Sequence, residues 1–231
     1  MSINLEGKTV LVTGSSGFIG YFLCKNLLEN YANIKVIGLD NNNDYYDPSL
    51  KTERIRLLNE MKKDFTFVFA DLADKAKIDS VFTEYKPQVV VNLAAQAGVR
   101  YSITHPEVYI NSNVVGFFNI LEACRHNPVE HLLFASSSSV YGANTKSPSS
   151  TDDKTDCPIA LYGATKKSNE LFAYAYSKLY GIPSTGLRFF SVYGPLGRPD
   201  MAAFKFTNQL AKGEPIDIYN NGDMWRDFTY V

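Results

Sequence analysis

Tyr162 and Lys166 stand four residues apart, at the start of an apolar-periodic segment that follows a serine run at 136–139. On a helix, residues four apart share a face. An ammonium beside a phenol lowers the phenol pKa from about 10, which makes Tyr162 a usable base near neutral pH. A serine hydroxyl from the preceding strand end can hydrogen-bond the same substrate oxygen. The Tyr-x-x-x-Lys spacing alone decides little, because the chain holds it four times: Tyr21/Lys25, Tyr31/Lys35, Tyr162/Lys166 and Tyr174/Lys178. Only Tyr162 opens a helix after the Ser-rich end of a strand, where both side chains can face a crevice. The competing reading is a tyrosine packed on its own helix.

A second group of residues suits an anion. Gly14, Gly17 and Gly20 follow a β-branched apolar run at 9–12 and open an apolar-periodic segment at 18–28. A strand, a glycine turn and a helix start put backbone N–H groups and the helix dipole in front of a pyrophosphate, and missing side chains allow it close. The spacing is G-x-x-G-x-x-G rather than the standard G-x-G-x-x-G. A tight turn with no ligand would use the same glycines, but their place after the first strand favours a dinucleotide. Asp40, twenty residues past Gly20, ends the second apolar run, where a carboxylate can bind an adenosine ribose 2′-OH and would repel a 2′-phosphate. NAD is therefore expected over NADP. Lys166 would then bind the nicotinamide ribose, and the positive nicotinamide would lower the Tyr162 pKa further.

The elements that must position these groups alternate. Strands are expected at 9–12, 34–39, 65–70, 89–93, 131–135 and 182–189, with helices at 18–28, 48–62, 74–85, 106–125 and 162–180. Asp71 and Leu72 close the third strand, where an adenine ring or a helix cap fits equally. Small residues follow the fourth strand. This alternation predicts an α/β doubly wound parallel sheet, with ligands at the carboxyl ends of its strands. From about Ser191 the pattern changes to Gly- and Pro-rich loops, a helix at 201–212 and a short strand at 216–219. The chain thus divides into 1–190, a dinucleotide domain with the reactive residues, and 191–231, part of a substrate lobe.

Composition excludes several classes. With 231 residues, 45% hydrophobic and 20% charged, the chain is an ordinary globular protein. A formal net charge of −1 gives no sign of nucleic acid or an anionic membrane. Cys24, Cys124 and Cys157 have no metal-ligand spacing and read as reduced thiols, so no metal is expected. The amino terminus lacks a signal-peptide pattern and no run is long enough for a membrane span. A cytoplasmic location is expected.

The stretches TGSSGFIG (13–20), NLAAQAGVR (92–100), ASSSSVYG (135–142), YGATK (162–166) and RFFSVYGPLGRPDM (188–201) together resemble the extended short-chain dehydrogenase/reductase family, in its NAD-dependent nucleotide-sugar epimerase branch. The resemblance covers the whole chain. It implies a catalytic Ser137, Tyr162 and Lys166. It implies NAD contacts at Gly14, Gly17, Phe18, Ile19, Gly20, Asp40, Asn41, Asn43, Asp71, Leu72, Leu93, Ala94, Ala95 and Asn113. Ser138 and Ser139 would flank the sugar, Ser191 the pyrophosphate, Tyr219 the uridine and Arg226 the diphosphate. In the implied mechanism Tyr162 takes the C4 hydroxyl proton while hydride passes to NAD, the 4-keto sugar rotates, and hydride returns to the other face. Similar sugar dehydratases carry an Asp-Glu pair, and similar decarboxylases a Glu, where this chain has Ser138 and Ser139. Epimerisation is what remains.

Arg100 and Arg198 resemble positions in UDP-glucuronate 4-epimerases, where an Arg fork could hold a uronate carboxylate; a solvated loop residue is the alternative for Arg198. UDP-glucuronate is favoured over UDP-N-acetylglucosamine or UDP-glucose. Relatives continue well past Val231, so a C-terminally truncated member is expected, and an inactive NAD- and nucleotide-sugar-binding protein is the rival reading. Relatives usually form homodimers through helices near 106–125 and 160–180, and Phe117, Phe118, Phe172, Tyr174 and Tyr176 are compatible with that.

Overall fold

The computed structural model describes residues 4–231. Six strands form one parallel sheet in the order β3-β2-β1-β4-β5-β6: β1 (Thr9–Thr13), β2 (Lys35–Asp40), β3 (Phe65–Phe69), β4 (Val89–Asn92), β5 (His131–Ser137) and β6 (Ser184–Phe189). The central strands read as apolar runs because helices cover both faces. Leu11, Ile37, Val90 and Leu132 point to one face, against α3 (Lys75–Tyr85), α6 (Gly116–His126) and α7 (Leu161–Tyr180). Val10, Val12, Val36 and Val89 point to the other, against α1 (Phe18–Asn30) and Leu58 of α2 (Pro48–Glu60). Strand order reverses between β1 and β4, which places a crevice at their carboxyl ends. There the Thr13 hydroxyl donates to Asn92 Oδ1 at 2.7 Å and the Ala94 N–H donates to Thr13 Oγ1 at 3.2 Å.

Local chemistry sets the helix ends. Asp47 caps α2 by accepting from the Ser49 N–H at 2.9 Å, with Pro48 in the first turn. Asp74 caps α3 by accepting from the Lys77 N–H at 3.0 Å. Gly181, left-handed at φ 69°, stops α7.

Three differences from the sequence expectation stand out. The helix expected over 106–125 is three pieces: a turn at Pro106–Tyr109 (α5), a π-helical turn at Ile110–Val115, and α6; a short α4 (Tyr101–Thr104) precedes them. The π turn contains Asn113, which is 1% exposed. Its Nδ2 donates to Gln96 O and Thr165 Oγ1, and its Oδ1 accepts from the Gln96 N–H. The strand expected at 216–219 does not form; Tyr219 opens a 3-10 turn (Tyr219–Gly222) in which Asn220 and Asn221 are left-handed. Instead β7 (Ser191–Tyr193) pairs in parallel with β8 (Phe228–Tyr230), and α8 (Ala202–Ala211) lies between them in sequence.

α7 is tied to the sheet by charge. Glu170 accepts from Arg188 Nε at 2.8 Å, from Arg188 Nη2 at 3.0 Å and from the Ser136 hydroxyl at 2.6 Å. Burial raises the Glu170 pKa, but the Arg188 and Ser136 hydrogen bonds outweigh it and hold the carboxyl below its usual value. A depressed carboxylate stabilises the fold above its unfolded pKa and loses that contribution as pH falls through the folded one. Glu170→Gln should therefore lower stability by about 2 kcal/mol at pH 7. The deficit should shrink below about pH 4, as followed by urea unfolding at both values.

Candidate active site

The glycine turn is built around positions where a side chain would not fit. A Cβ on Gly14, whose φ is +73°, would lie 2.7 Å from Ala94 N; on Gly17 it would lie 2.9 Å from Gly14 O, and on Gly20 2.0 Å from the same oxygen. The turn therefore packs against the end of β4 on one side and against α1 on the other. No acidic residue occupies the first turn of α1, so no side chain of the helix itself opposes the positive end of its dipole. Asp40, 8% exposed, accepts from the Ser16 and Asn42 N–H groups at 3.3 and 2.9 Å. A bare-backbone cradle with an acid at the end of β2 fits a dinucleotide with an unmodified ribose.

The other expected cofactor positions lie around the crevice in different ways. Asn41 Nδ2 donates to Asp71 Oδ2 at 2.7 Å, and Asp71 Oδ1 accepts from the Ala73 N–H, a local turn. Asn43 is engaged by Lys51, whose ammonium donates to its Oδ1 and its carbonyl at 2.7 Å each. Leu72 and Phe18 are buried. The Ile19 side chain lines a groove with Phe22, Phe189 and Val192, so any part it has in the cradle falls to its backbone. Asn113 spends its amide on Gln96 and Thr165; it clamps the loop after Leu93, Ala94 and Ala95 to the helix that carries Tyr162.

Tyr162 and Lys166 both lie on the inner side of α7, and Lys166 is 2% exposed. Burial raises the Tyr162 pKa, with a Ser137 hydrogen bond and the positive charge of Arg198 acting against it. The expected influence of Lys166 is not what opposes burial here. Its ammonium runs under the helix to donate to Ala135 O at 3.0 Å, and burial pulls it down to about 8. The folded pKa thus lies below the unfolded one, so the cost of burying the charge is present below pH 8 and fades as pH rises to 10.5. Lys166→Met should melt no lower than the parent chain at pH 7, and be up to about 3 kcal/mol more stable. Thermal melts at pH 7 and 10 check this, since the difference should narrow at the higher pH.

Ser137 Oγ accepts from the Ser139 N–H at 3.1 Å and so caps the 3-10 turn Ser138–Tyr141. Ser138 and Ser139 are half-buried. A Cβ on Gly163 would meet Ser139 O at 2.7 Å, so the serine turn and the start of α7 are packed backbone to backbone. Tyr109, fully buried, sets its ring edge-on to Tyr162 at 6.1 Å and donates to Ala97 O and Gly98 O. The sequence reading missed Tyr109; its place inside the interrupted helix carries no signal in residue type.

Arg198 reaches the site from the 194–200 loop. Its Nε and Nη2 donate to Asp200 Oδ1 and Oδ2 at 3.0 and 2.5 Å, and its guanidinium lies 5.9 Å from the Tyr45 ring centre. Of the remaining expected substrate residues, Ser191 begins β7 through an N–H donated to Asp227 O. Arg226 is exposed and donates to Trp225 O. Arg100 is exposed beside α4. The Tyr219 side chain lies outside the described residues.

Residues 10–231 match the NAD dependent epimerase/dehydratase family. The chain belongs to that family. Protein CapI of Staphylococcus aureus is 56% identical over 222 residues, covering 96% of this chain and 65% of the relative. A probable UDP-glucuronate 4-epimerase of Rhizobium meliloti strain 1021 is 48% identical over 221 residues, 96% of this chain and 64% of the relative. The crystal structure of UDP-glucuronic acid 4-epimerase from Bacillus cereus, in complex with UDP-glucuronic acid and NAD, superposes with a TM-score of 0.88 at 37% identity, covering 96% of this chain and 69% of that one. This epimerase-family chain thus spans about 65% of the length of the first two. Among its described residues no helix is long and apolar enough to cross a membrane, and no His, Cys, Asp and Glu group could hold a metal.

Proposed function

We propose that the chain carries the cofactor and proton-transfer machinery of an NAD-dependent UDP-sugar 4-epimerase acting on UDP-glucuronate to give UDP-galacturonate. The observation that carries this reading is a glycine cradle at the carboxyl end of the same sheet whose fifth strand is tied by Lys166, through Ala135 O, to the helix of Tyr162, with Ser138 and Ser139 where elimination or decarboxylation would need an acid. The names of the Rhizobium meliloti and Bacillus cereus relatives support it.

The 14–20 turn, Asp40 and Lys166 would hold NAD, which when bound would supply a reversible hydride acceptor for the sugar C4. Tyr162 removes the proton from the C4 hydroxyl, and Ser137 hydrogen-bonds the same oxygen. The positive charge of Arg198 works toward the phenolate against burial, and a uronate carboxylate would meet it in competition with Asp200, which holds its Nε and Nη2. Once the 4-keto sugar has rotated to present its other face, Tyr162 gives its proton back to the C4 oxygen, now in the opposite configuration. The pyrophosphate and uridine fall to Ser191, Tyr219 and Arg226.

A homodimer through α6 and α7 accompanies this reading. Phe117 packs on Phe134 in the core, whereas Phe118, Leu171 and Tyr174 remain 43, 57 and 66% exposed. Light scattering should give twice the chain mass, and Leu171→Glu should halve it.

The deciding experiment is incubation of purified chain with UDP-glucuronate, with products separated by chromatography and NAD read by absorbance after denaturation. UDP-galacturonate formation supports the proposal. NAD retained without turnover of any UDP-sugar would make the chain a binder.

A further inference from the structure

We propose that Arg54 is a positioning residue: it seats the 194–200 loop, and Arg198 within it, on the glycine turn. Arg54 is 0% exposed, on the inner stripe of α2 with Lys51 and Leu58. Its Nη1 donates to Ser16 O and to the Tyr46 hydroxyl, both at 2.8 Å, and its Nη2 donates to Leu196 O at 2.7 Å. All three acceptors are uncharged. A buried guanidinium served by carbonyls and a phenol is costly, and an apolar residue of the same volume would serve packing as well. What a guanidinium adds is a planar fork that fixes the angle between its acceptors.

Those acceptors belong to the two halves of the site. Ser16 sits in the glycine turn, where its N–H donates to Asp40 Oδ2 and its hydroxyl to Asn42 Oδ1 at 2.6 Å. Leu196 sits in the substrate-side loop, left-handed at φ 52°, a conformation that a leucine keeps only when its surroundings impose it. Its side chain packs against the core cluster of Val10 and Val12. The other end of the loop is tied to the same segment: the Tyr45 hydroxyl donates to Asp200 Oδ2 at 3.2 Å, and Asp200 holds Arg198. Arg198 is therefore suspended between two anchors on residues 45–54, and Arg54 links the inner one to the turn that would hold the cofactor. Its bearing on catalysis rests on the reading above, in which Arg198 meets a uronate carboxylate.

Hydrogen exchange by mass spectrometry on the whole chain, with Arg54→Met and Arg54→Lys beside it, tests the seating without turnover. Exchange in the peptide spanning 194–205 should quicken at least ~10-fold in both variants, the size of one charge-assisted hydrogen bond lost. Lysine keeps the charge but not the fork, so it should not rescue. β1, β4 and β5 should be unchanged. For UDP-glucuronate, KM should rise ~10-fold with kcat within about 3-fold. Unchanged loop exchange in either folded variant overturns the proposal, as does acceleration spread evenly over the sheet, or a loss confined to kcat. If Arg54→Met does not fold, Arg54→Lys decides alone. If the parent chain turns over no UDP-sugar, the functional reading fails while the exchange result still judges Arg54.

Discussion

Under the proposed function, Tyr162→Phe should abolish epimerisation, with kcat down by at least ~10³-fold, while NAD stays bound at the parent stoichiometry. General base catalysis contributes about 10²–10⁴-fold. Neither of Tyr162's described neighbours, Lys166 and Tyr109, replaces it: Lys166 is turned to Ala135 O, and Tyr109 donates to two carbonyls with its pKa pushed well up by burial. The substitution removes one oxygen and leaves the ring that packs on Tyr109, so the fold should be retained. Single-turnover mixing with UDP-glucuronate checks the prediction through the NADH absorbance band, which should appear in the parent and be missing in the variant. A Phe variant with more than a tenth of parental turnover would mean that another group takes the proton.

Gly20→Val should remove NAD binding and lower stability together. Even a bare Cβ there would lie 2.0 Å from Gly14 O and 3.0 Å from Ser15 Cα. Those atoms belong to the backbone, so no rotamer change relieves the clash; α1 must shift away from the turn. Overpacking of this kind costs about 1–3 kcal/mol, and displaced N–H groups no longer converge on a pyrophosphate. NAD affinity should fall by at least ~100-fold. Gly181→Ala is the control. It is also at positive φ but has nothing within 4 Å of its Cβ, so it should cost about 1 kcal/mol and leave NAD affinity alone. Titration of both variants by calorimetry, with melts alongside, separates the two effects.

The sheet was legible because parallel strands covered on both faces must be apolar runs, and three glycines mark the turn after the first of them. The helix that carries Tyr162 was legible from its place after a strand end. Less was visible in α2. Its Leu50, Ile55, Leu57 and Leu58 suggest the buried stripe, yet Lys51, Arg54 and Leu58 are the residues inside. Cations that bind carbonyls leave no hydrophobic signature, so the inner stripe looks like a solvated one. The short strand expected at 216–219, Ile-Asp-Ile-Tyr, misled for another reason: two left-handed asparagines after it turn the chain before a partner strand can pair. The π turn at Asn113 was invisible because its cause is tertiary, two hydrogen bonds to Gln96 and one to Thr165.

The contact of Thr13 with Asn92 has a kinetic side. It joins residues 79 apart in sequence, and the glycine turn is walled by Ala94 beyond it. Closing so long a loop carries an entropic cost before any contact rewards it, and non-local parallel pairing slows folding. A nascent fragment ending before β4 would lack the Ala94 wall of the cradle, so the turn should reach its full packing only when β4 pairs with β1. A cofactor that binds only the paired state would add its binding energy to the whole sheet, so occupancy should be read in the unfolding rate of every central strand together.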